Sequence, residues 1–344
     1  MNRKVFGKLP SGERLNRILL SPNFKNGAFQ NIEPTDVNPN KVSIGKLILD
    51  FYNKPKSVVP GRELTFVKTD LNNLAFDQPS VIWFGHSSYL ITYKGFTILV
   101  DPVFSGYASP VKLFGKSFLG SDNYRVEDFP TIDLLIITHD HYDHLDYETI
   151  AKIKGKVKMA LTPLGVGAHL EYWGVDKNKI AELDWWEKCT IQTDVEITAT
   201  PSRHFSGRGI SRAKSLWASF VLKIHGRKIF IGGDSGYDKQ FKIIGERYNG
   251  FDLALIECGQ YGVNWPQIHM TPEETVMAAK DLNTKILFPV HWAKFALSTH
   301  AWNEPVNRLI VAAQKENVKL VTPKMGQPFF LEQEHQPMEW WNLD

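Results

Sequence analysis

Four potential metal ligands, His139, His141, Asp143 and His144, fall within six residues. They belong to the run Thr138-His139-Asp140-His141-Tyr142-Asp143-His144, directly after an apolar stretch from Ile132 to Ile137 that reads as a strand. A metal site needs imidazole nitrogens or carboxylate oxygens converging at about 2.0–2.2 Å from the ion. A strand that breaks into a tight turn can aim such closely spaced side chains at one point. His139 and His141 can then share one ion, while Asp143 and His144 turn toward a second. The alternative is a polar surface loop that gathers three histidines by chance, and it is a poor fit to a chain with 11 His in 344 residues.

Two ions held by four side chains would be under-coordinated, so further ligands are expected at other strand ends. His204 follows Thr200-Pro201-Ser202-Arg203. Asp234 follows Ile229-Phe230-Ile231-Gly232-Gly233, and His291 follows Ile286-Leu287-Phe288-Pro289-Val290. Each comes at the C-terminal end of an apolar run.

Composition removes several classes. The longest unbroken apolar run, Leu309 to Ala313, is far short of the roughly 20 residues of a membrane span. Met1 to Leu15 are basic and polar with no apolar segment, so no secretory signal is expected; the expected location is cytoplasmic or membrane-peripheral. Cys189 and Cys258 are too few for a disulfide framework and are expected as reduced thiols. With 40 Lys+Arg against 37 Asp+Glu, the charge balance argues against a nucleic-acid partner.

Residues 1–75 differ from the rest. They hold Pro10, Pro22, Pro34 and Pro39 among many asparagines and few periodic runs, apart from Lys46 to Tyr52, which could be a short helix or strand. Phe6, Phe24, Phe29, Phe51 and Tyr52 favour an N-terminal arm with something to dock against. Residues 76–344 form the main domain. Strand runs are expected at Val81–Phe84, Tyr89–Tyr93, Phe96–Val100, Ile132–Thr138, Lys158–Leu161, Cys189–Thr200, Leu216–Gly232, Phe251–Ile256 and Ile286–Val290. Lys94-Gly95 reads as a hairpin turn, and His225-Gly226 breaks the Leu216–Gly232 run. Helices are expected at Tyr147–Ile153, Gly167–Trp173, from Thr271-Pro272-Glu273-Glu274 onward with a capping box, and at Asn303–Glu316. This mixture implies α/β or α+β layers.

The seven candidates, in the order His-x-His-x-Asp-His, His, Asp, His, resemble the metallo-β-lactamase superfamily over about residues 80–332. The resemblance implies an αββα sandwich with a binuclear site at one edge of the two sheets. Asp101-Pro102-Val103-Phe104, Ala108-Ser109-Pro110, His144-Leu145-Asp146-Tyr147, Glu182 to Glu187, Thr200 to His204, Gly233 to Tyr237 and His291 to Phe295 look more narrowly like the N-acylphosphatidylethanolamine-hydrolysing phospholipase D family. The opening Phe6-Gly7-Lys8-Leu9-Pro10-Ser11-Gly12 is similar to bacterial members of that group.

The resemblance implies that His139, His141 and His204 hold one ion and that Asp143, His144 and His291 hold the other, with Asp234 bridging them. Two divalent ions are implied. Zn2+ is the expected metal, and Mn2+ or Fe suit the same ligands. Such a pair clamps a phosphodiester and lowers the pKa of a water toward about 7, so that it attacks phosphorus in line with the leaving alcohol. His269, in Ile268-His269, occupies a place where that family has a histidine near the substrate, and is expected to bind phosphate or protonate the leaving group. Arg203, Arg208, Arg212 and Lys214 form a basic run suited to steering an anionic substrate, while a solvated loop explains them equally well. His86 is expected to support the ligands from behind or to sit in the core, and His169, His225, His300 and His335 are read as structural or surface residues.

The function implied is a metal-dependent phosphodiesterase of phospholipase D type. A lactone or carboxylic-ester hydrolase resembling ascorbate-6-phosphate lactonase is the second reading, β-lactamase activity a weaker one, and a non-catalytic interaction module the last. Residues 1–75 can cover a homodimer interface, shape a substrate groove or brace the sheet. A lipid substrate is compatible with peripheral membrane contact, although no amphipathic helix rich in Lys and Trp is evident.

Overall fold

Val81 and Trp83 face one way and Ile82 and Phe84 the other, and all four are buried. A segment buried on both faces needs a covering layer on each side. The computed structural model describes residues 3–43, 45–46, 49, 53–74, 77–209, 211–335 and 338–343 and shows those layers. Phe51 and Tyr52, and most of the Lys46–Tyr52 segment, lie outside the described residues.

The chain opens with helix α1 (Glu13–Leu19) and a small hairpin of β1 (Phe24–Lys25) and β2 (Ala28–Phe29). The first large sheet contains β3 (Ser80–Trp83), β4 (Tyr89–Tyr93), β5 (Phe96–Val100), β6 (Ile132–Ile136), β7 (Val157–Pro163) and β8 (Ile180–Leu183) in that spatial order. The second contains β9 (Lys188–Gln192), β10 (Val195–Thr200), β11 (Ser219–Ile224), β12 (Arg227–Ile231), β13 (Leu253–Glu257) and β14 (Leu287–Val290). The last strand, β15 (Pro328–Phe330), returns to pair with β3.

Both sheets begin as antiparallel meanders and end as parallel strands. Parallel neighbours need crossovers, and helices supply most of them. Helices α2 (Tyr147–Ile153) and α3 (Gly167–Tyr172) pack Ile150, Ile153 and Leu170 onto the outer face of the first sheet. Helices α4 (Gln240–Tyr248), α5 (Pro272–Asp281) and α6 (Glu304–Lys315) bring Phe241, Ile244, Val276, Val306 and Leu309 to the second. The result is an αββα sandwich whose main core lies between the sheets.

Local sequence explains the boundaries. Lys94-Gly95 and His225-Gly226 turn their hairpins with positive φ at both residues, as a type I′ turn requires. Thr271 caps α5 by accepting the Glu274 N–H, Glu274 accepts the Thr271 N–H in return, and Pro272 fills the first turn. The expected Cys189–Thr200 strand is instead the β9–β10 hairpin, broken where Asp194 adopts positive φ. The elements not expected are α1, β1, β2, β8, α4 and β15, four of which have only two to four residues, too short for a clear periodic signal. Cys189 and Cys258 are free thiols. Among the described residues no helix is long and apolar enough to cross a membrane.

The N-terminal segment lies along the sandwich and is tied to it. Ile18, Phe29 and Leu64 join the inter-sheet core. Arg14 pairs with Glu171 and Glu182, the Asn23 amide donates to Asp184, and the Trp173 indole donates to the Lys4 carbonyl.

Candidate metal centre

All seven predicted ligands converge at one edge of the sandwich. The His139–His144 run leaves the end of β6, while His204, Asp234 and His291 follow β10, β12 and β14. Two backbone hydrogen bonds join the sheets here, from His86 N–H to the Trp292 carbonyl and from His291 N–H to the His86 carbonyl, at 2.8 and 2.9 Å. His86 and His291 both sit in the left-handed region, at φ 52° and 69°. Such a conformation costs a non-glycine residue on the order of 1–3 kcal/mol, so its pairing here marks a site held in place by its surroundings. Gly233 is required by close approach: a Cβ would lie 2.6 Å from the Ala218 carbonyl oxygen and 3.0 Å from Thr138 Cβ.

The ligand atoms fall into two sets. In the first, His141 Nδ1 lies 2.9 Å from His139 Nε2 and 3.1 Å from His204 Nε2, and Asp234 Oδ2 lies 3.8 Å from both Nε2 atoms. In the second, Asp143 Oδ2 lies 3.7 Å from His144 Nε2 and 3.4 Å from His291 Nε2. Asp234 Oδ2 lies 3.2 Å from each of those nitrogens, so one oxygen stands between the sets. Ligands placed tetrahedrally at about 2.0–2.2 Å from an ion are about 3.3–3.6 Å apart, close to these spacings. His144 Nε2, His291 Nε2 and Asp234 Oδ1 are buried without a hydrogen-bond partner among the described residues. Buried polar atoms rarely lack partners. Those facing lone pairs are what divalent cations would satisfy, and the residues fit two ions.

The charges agree with this reading. Burial opposes positive charge on each histidine. It prevails at His139 and His204, held well below the ordinary imidazole range, and lowers His141 as well. At His144 burial is outweighed by Asp234, Asp143 and Asp101, which push the imidazole well up. At His291 burial is likewise outweighed, chiefly by Asp234 and Asp143, which raise it to about 10. Burial would raise Asp143 and Asp234, but the neighbouring histidines hold both well below the usual carboxylate range. Two buried carboxylates thus concentrate negative charge among these imidazoles, a charge that cations held by the same side chains would neutralise.

Other side chains orient the ligands. Asp101 accepts the His144 Nδ1–H at 2.7 Å and bonds from both Thr138 N–H and Thr138 Oγ1–H. His86 donates Nε2–H to Asp143 at 2.9 Å, while burial and His291 hold its imidazole down to about 3. The Ile268 carbonyl accepts from His204 Nδ1 at 3.0 Å. Such partners fix the tautomer and orientation of metal-binding histidines. His86 therefore supports the ligands from behind. Asp101 and Glu257 were not expected, although each ends an apolar strand as the ligands do. His169 is a core residue, with Nε2 donating to Asp140 at 3.3 Å and Nδ1 accepting the Lys8 N–H at 3.0 Å.

Arg203 and Arg208 correct the expectation of a substrate-steering basic run. Arg208 is 4% exposed, and its guanidinium donates to the carbonyls of Val5, Asp140 and Leu145. It also lies over the Tyr142 and Trp173 rings, at 4.1 and 5.0 Å. Arg203 donates to Thr35 Oγ1 and the Pro34 carbonyl, and Lys214 to the Gly27 carbonyl. These three cations fasten the N-terminal segment and, for Arg208, the metal-ligand loop. Arg212 alone of the four borders the cavity beside the ligands. Arg208→Ala, which leaves buried carbonyls unpaired, is expected to destabilise the protein by about 3 kcal/mol, measured by denaturant unfolding. A steering residue would instead give unchanged stability with weaker substrate binding.

That cavity measures about 370 Å3. His141, Asp143, His204, Asp234 and His291 lie at its base, and Val37, Val42, Phe205, Trp265, Ile268 and Leu297 form apolar walls. Asn38, Gln260, Asn264, Arg212 and His269 add polar groups. Val37, Asn38 and Val42 belong to the N-terminal segment, which therefore shapes the cavity as well as bracing the core.

The sequence model of the Beta-lactamase superfamily domain matches residues 97–292, from β5 to just past His291. The chain belongs to the metallo-β-lactamase superfamily. Its donor sets and that membership make it a metal-dependent hydrolase. The chain is 38% identical over 333 residues to an uncharacterised protein of Mycobacterium tuberculosis, covering 94% of this chain and 88% of that one. It is 36% identical over 242 residues to the mitochondrial N-acyl-phosphatidylethanolamine-hydrolyzing phospholipase D of Saccharomyces cerevisiae, covering 67% of this chain and 51% of that protein. Among solved structures, a metallo hydrolase, Igni18, of Ignicoccus hospitalis superposes with a TM-score of 0.56 at 20% identity, covering 75% of this chain and all of that one. CmlA, a diiron β-hydroxylase of Streptomyces venezuelae, superposes with a TM-score of 0.58 at 17% identity, covering 74% and 55%. At these identities the two structures show the shared fold alone.

Proposed function

We propose that the protein is a binuclear phosphodiesterase of phospholipase D type acting on a phospholipid-like diester. The observation that carries this reading is Asp234 Oδ2 standing between two complete ligand sets. His139, His141 and His204 would hold one ion and Asp143, His144 and His291 the other, with zinc the metal best suited to this donor set. Two such ions supply charge neutralisation for the diester oxygens and a water activated at neutral pH. The similarity to the yeast phospholipase D supports the substrate class.

The chain's own residues have separate tasks. The apolar walls of the cavity receive hydrocarbon next to the diester and exclude water from it. Arg212, on the same cavity, attracts the anionic head. His269 borders the cavity, with Nδ1 held by Glu257 at 2.7 Å, so Nε2 is the atom left for substrate. With both ring nitrogens protonated, it passes its Nε2 proton to the leaving alcohol oxygen while a water oxygen forms the new P–O bond and the old one breaks.

The test is mass-spectrometric product analysis after the metal-loaded protein meets N-acylphosphatidylethanolamine vesicles. Phosphatidic acid and N-acylethanolamine are expected, absent from an Asp234→Asn control. No product from these vesicles, together with turnover of a lactone, would move the substrate class to cyclic esters.

A further inference from the structure

Glu257 is a buried carboxylate that neither ligand set uses. It ends β13 and is 1% exposed. Its Oε1 accepts the Ser235 N–H at 2.6 Å, next to Asp234. Its Oε2 lies 2.7 Å from His269 Nδ1 and 3.5 Å from His291 Nδ1. The Glu257 carbonyl accepts the Thr275 hydroxyl at 2.8 Å, which ties the residue to α5. Backbone and side chain are thus both fixed, with the Ser235 N–H donating to Oε1 and two imidazole nitrogens facing Oε2.

We infer that Glu257 is a positioning residue that keeps a proton on His269 Nδ1, in the charged and in the neutral ring alike, and aims its Nε2 into the cavity. A carboxylate only accepts hydrogen bonds, so the ring nitrogen facing it carries a proton. The His269 ring is stacked on His291 at 5.2 Å and 14°, and meets His204 edge-on at 5.1 Å. Turning the ring over would break the bond to Glu257 between those neighbours. The consequence for catalysis rests on the phosphodiesterase reading. The acid is the ring protonated at both nitrogens: when it gives the Nε2 proton to the leaving oxygen, the Nδ1 proton stays hydrogen-bonded to Glu257 and the ring is left as neutral imidazole. No other proton moves.

Glu257→Gln makes the inference testable. The Ser235 N–H requires an oxygen at its end of the amide, so the NH2 group faces His269. Nδ1 must then accept, and the single ring proton moves to Nε2. A neutral ring of that tautomer cannot give up its proton without becoming imidazolate.

The experiment is 15N-histidine NMR of the full-chain, zinc-loaded protein, with His269 assigned by its disappearance in His269→Ala. Nδ1 is expected to be protonated in the wild type and bare in Glu257→Gln. A bare Nδ1 in the wild type, or a protonated one in the variant, overturns the inference. If Glu257→Gln does not fold, the wild-type spectrum alone decides by the same rule. Kinetics give a second readout: Glu257→Gln is expected to lower kcat about 10²-fold or more while KM stays within about twofold. The double variant with His269→Ala is expected to be no slower than His269→Ala. Losses that multiply would mean that Glu257 acts on something other than His269. Absence of any diesterase activity would sink the phosphodiesterase reading and leave the tautomer result to decide on Glu257.

Discussion

Asp234→Asn is expected to abolish hydrolysis and to lower metal content with it. Asp234 Oδ2 lies within 3.8 Å of four imidazole nitrogens drawn from three strand ends and shared by both ligand sets. Removing its charge leaves His144 and His291 opposite Asp143 and Asp101 but without the anion between them. Changing residues that merely support metal ligands already costs about 10–100-fold in affinity or activity. A shared ligand is expected to cost more than that, and activity should fall at least about 10³-fold at low metal concentration. The readouts are metal content by plasma mass spectrometry and turnover on the same preparation. Full metal with undiminished turnover would remove Asp234 from the centre.

The second large effect is the opposite pH dependence of the metal-free and metal-loaded protein. Without metal, His144 is pushed well above its ordinary value and His291 up to about 10. A folded pKa raised above the unfolded one contributes stability that is complete below about pH 6.5 and lost as pH climbs through the folded value. For His291 that loss spans about pH 6.5 to 10. Asp143 and Asp234, held low, contribute above about pH 4 and lose that contribution in acid. The metal-free protein should therefore be less stable at pH 9 than at pH 6. Metal must displace the protons from His144 and His291, so its affinity should rise with pH, by up to about 100-fold per unit while both remain protonated. Chelation should consequently lower the unfolding midpoint far more at pH 9 than at pH 6. Equal losses at the two pH values, or metal uptake without proton release, would mean that these histidines are not displaced ligands.

The candidate ligands were legible in the sequence because each is announced locally. A β-strand ends, the chain turns, and a histidine or aspartate follows, as at His204, Asp234 and His291. Charge gave no such guidance to direction. Arg203 and Arg208 are basic residues in a glycine-containing loop, yet the carbonyls that bind Arg208 belong to Leu145, Asp140 and Val5, 63 to 203 residues away. No local pattern encodes that pairing. Asp101 and Glu257 stand at strand ends exactly as the ligands do in sequence terms, but a lone carboxylate there is common, and only the facing histidines give it a role. The layers were legible from alternating burial, as in Val81–Phe84, whereas β8 and β15 are too short to show a period.

The most direct measurement is anomalous X-ray diffraction from crystals of the zinc-loaded protein, collected above and below the zinc absorption edge. Two zinc peaks are expected on either side of Asp234, one against His139, His141 and His204 and the other against Asp143, His144 and His291. A single peak, or a second one away from Asp143, His144 and His291, would contradict the binuclear centre.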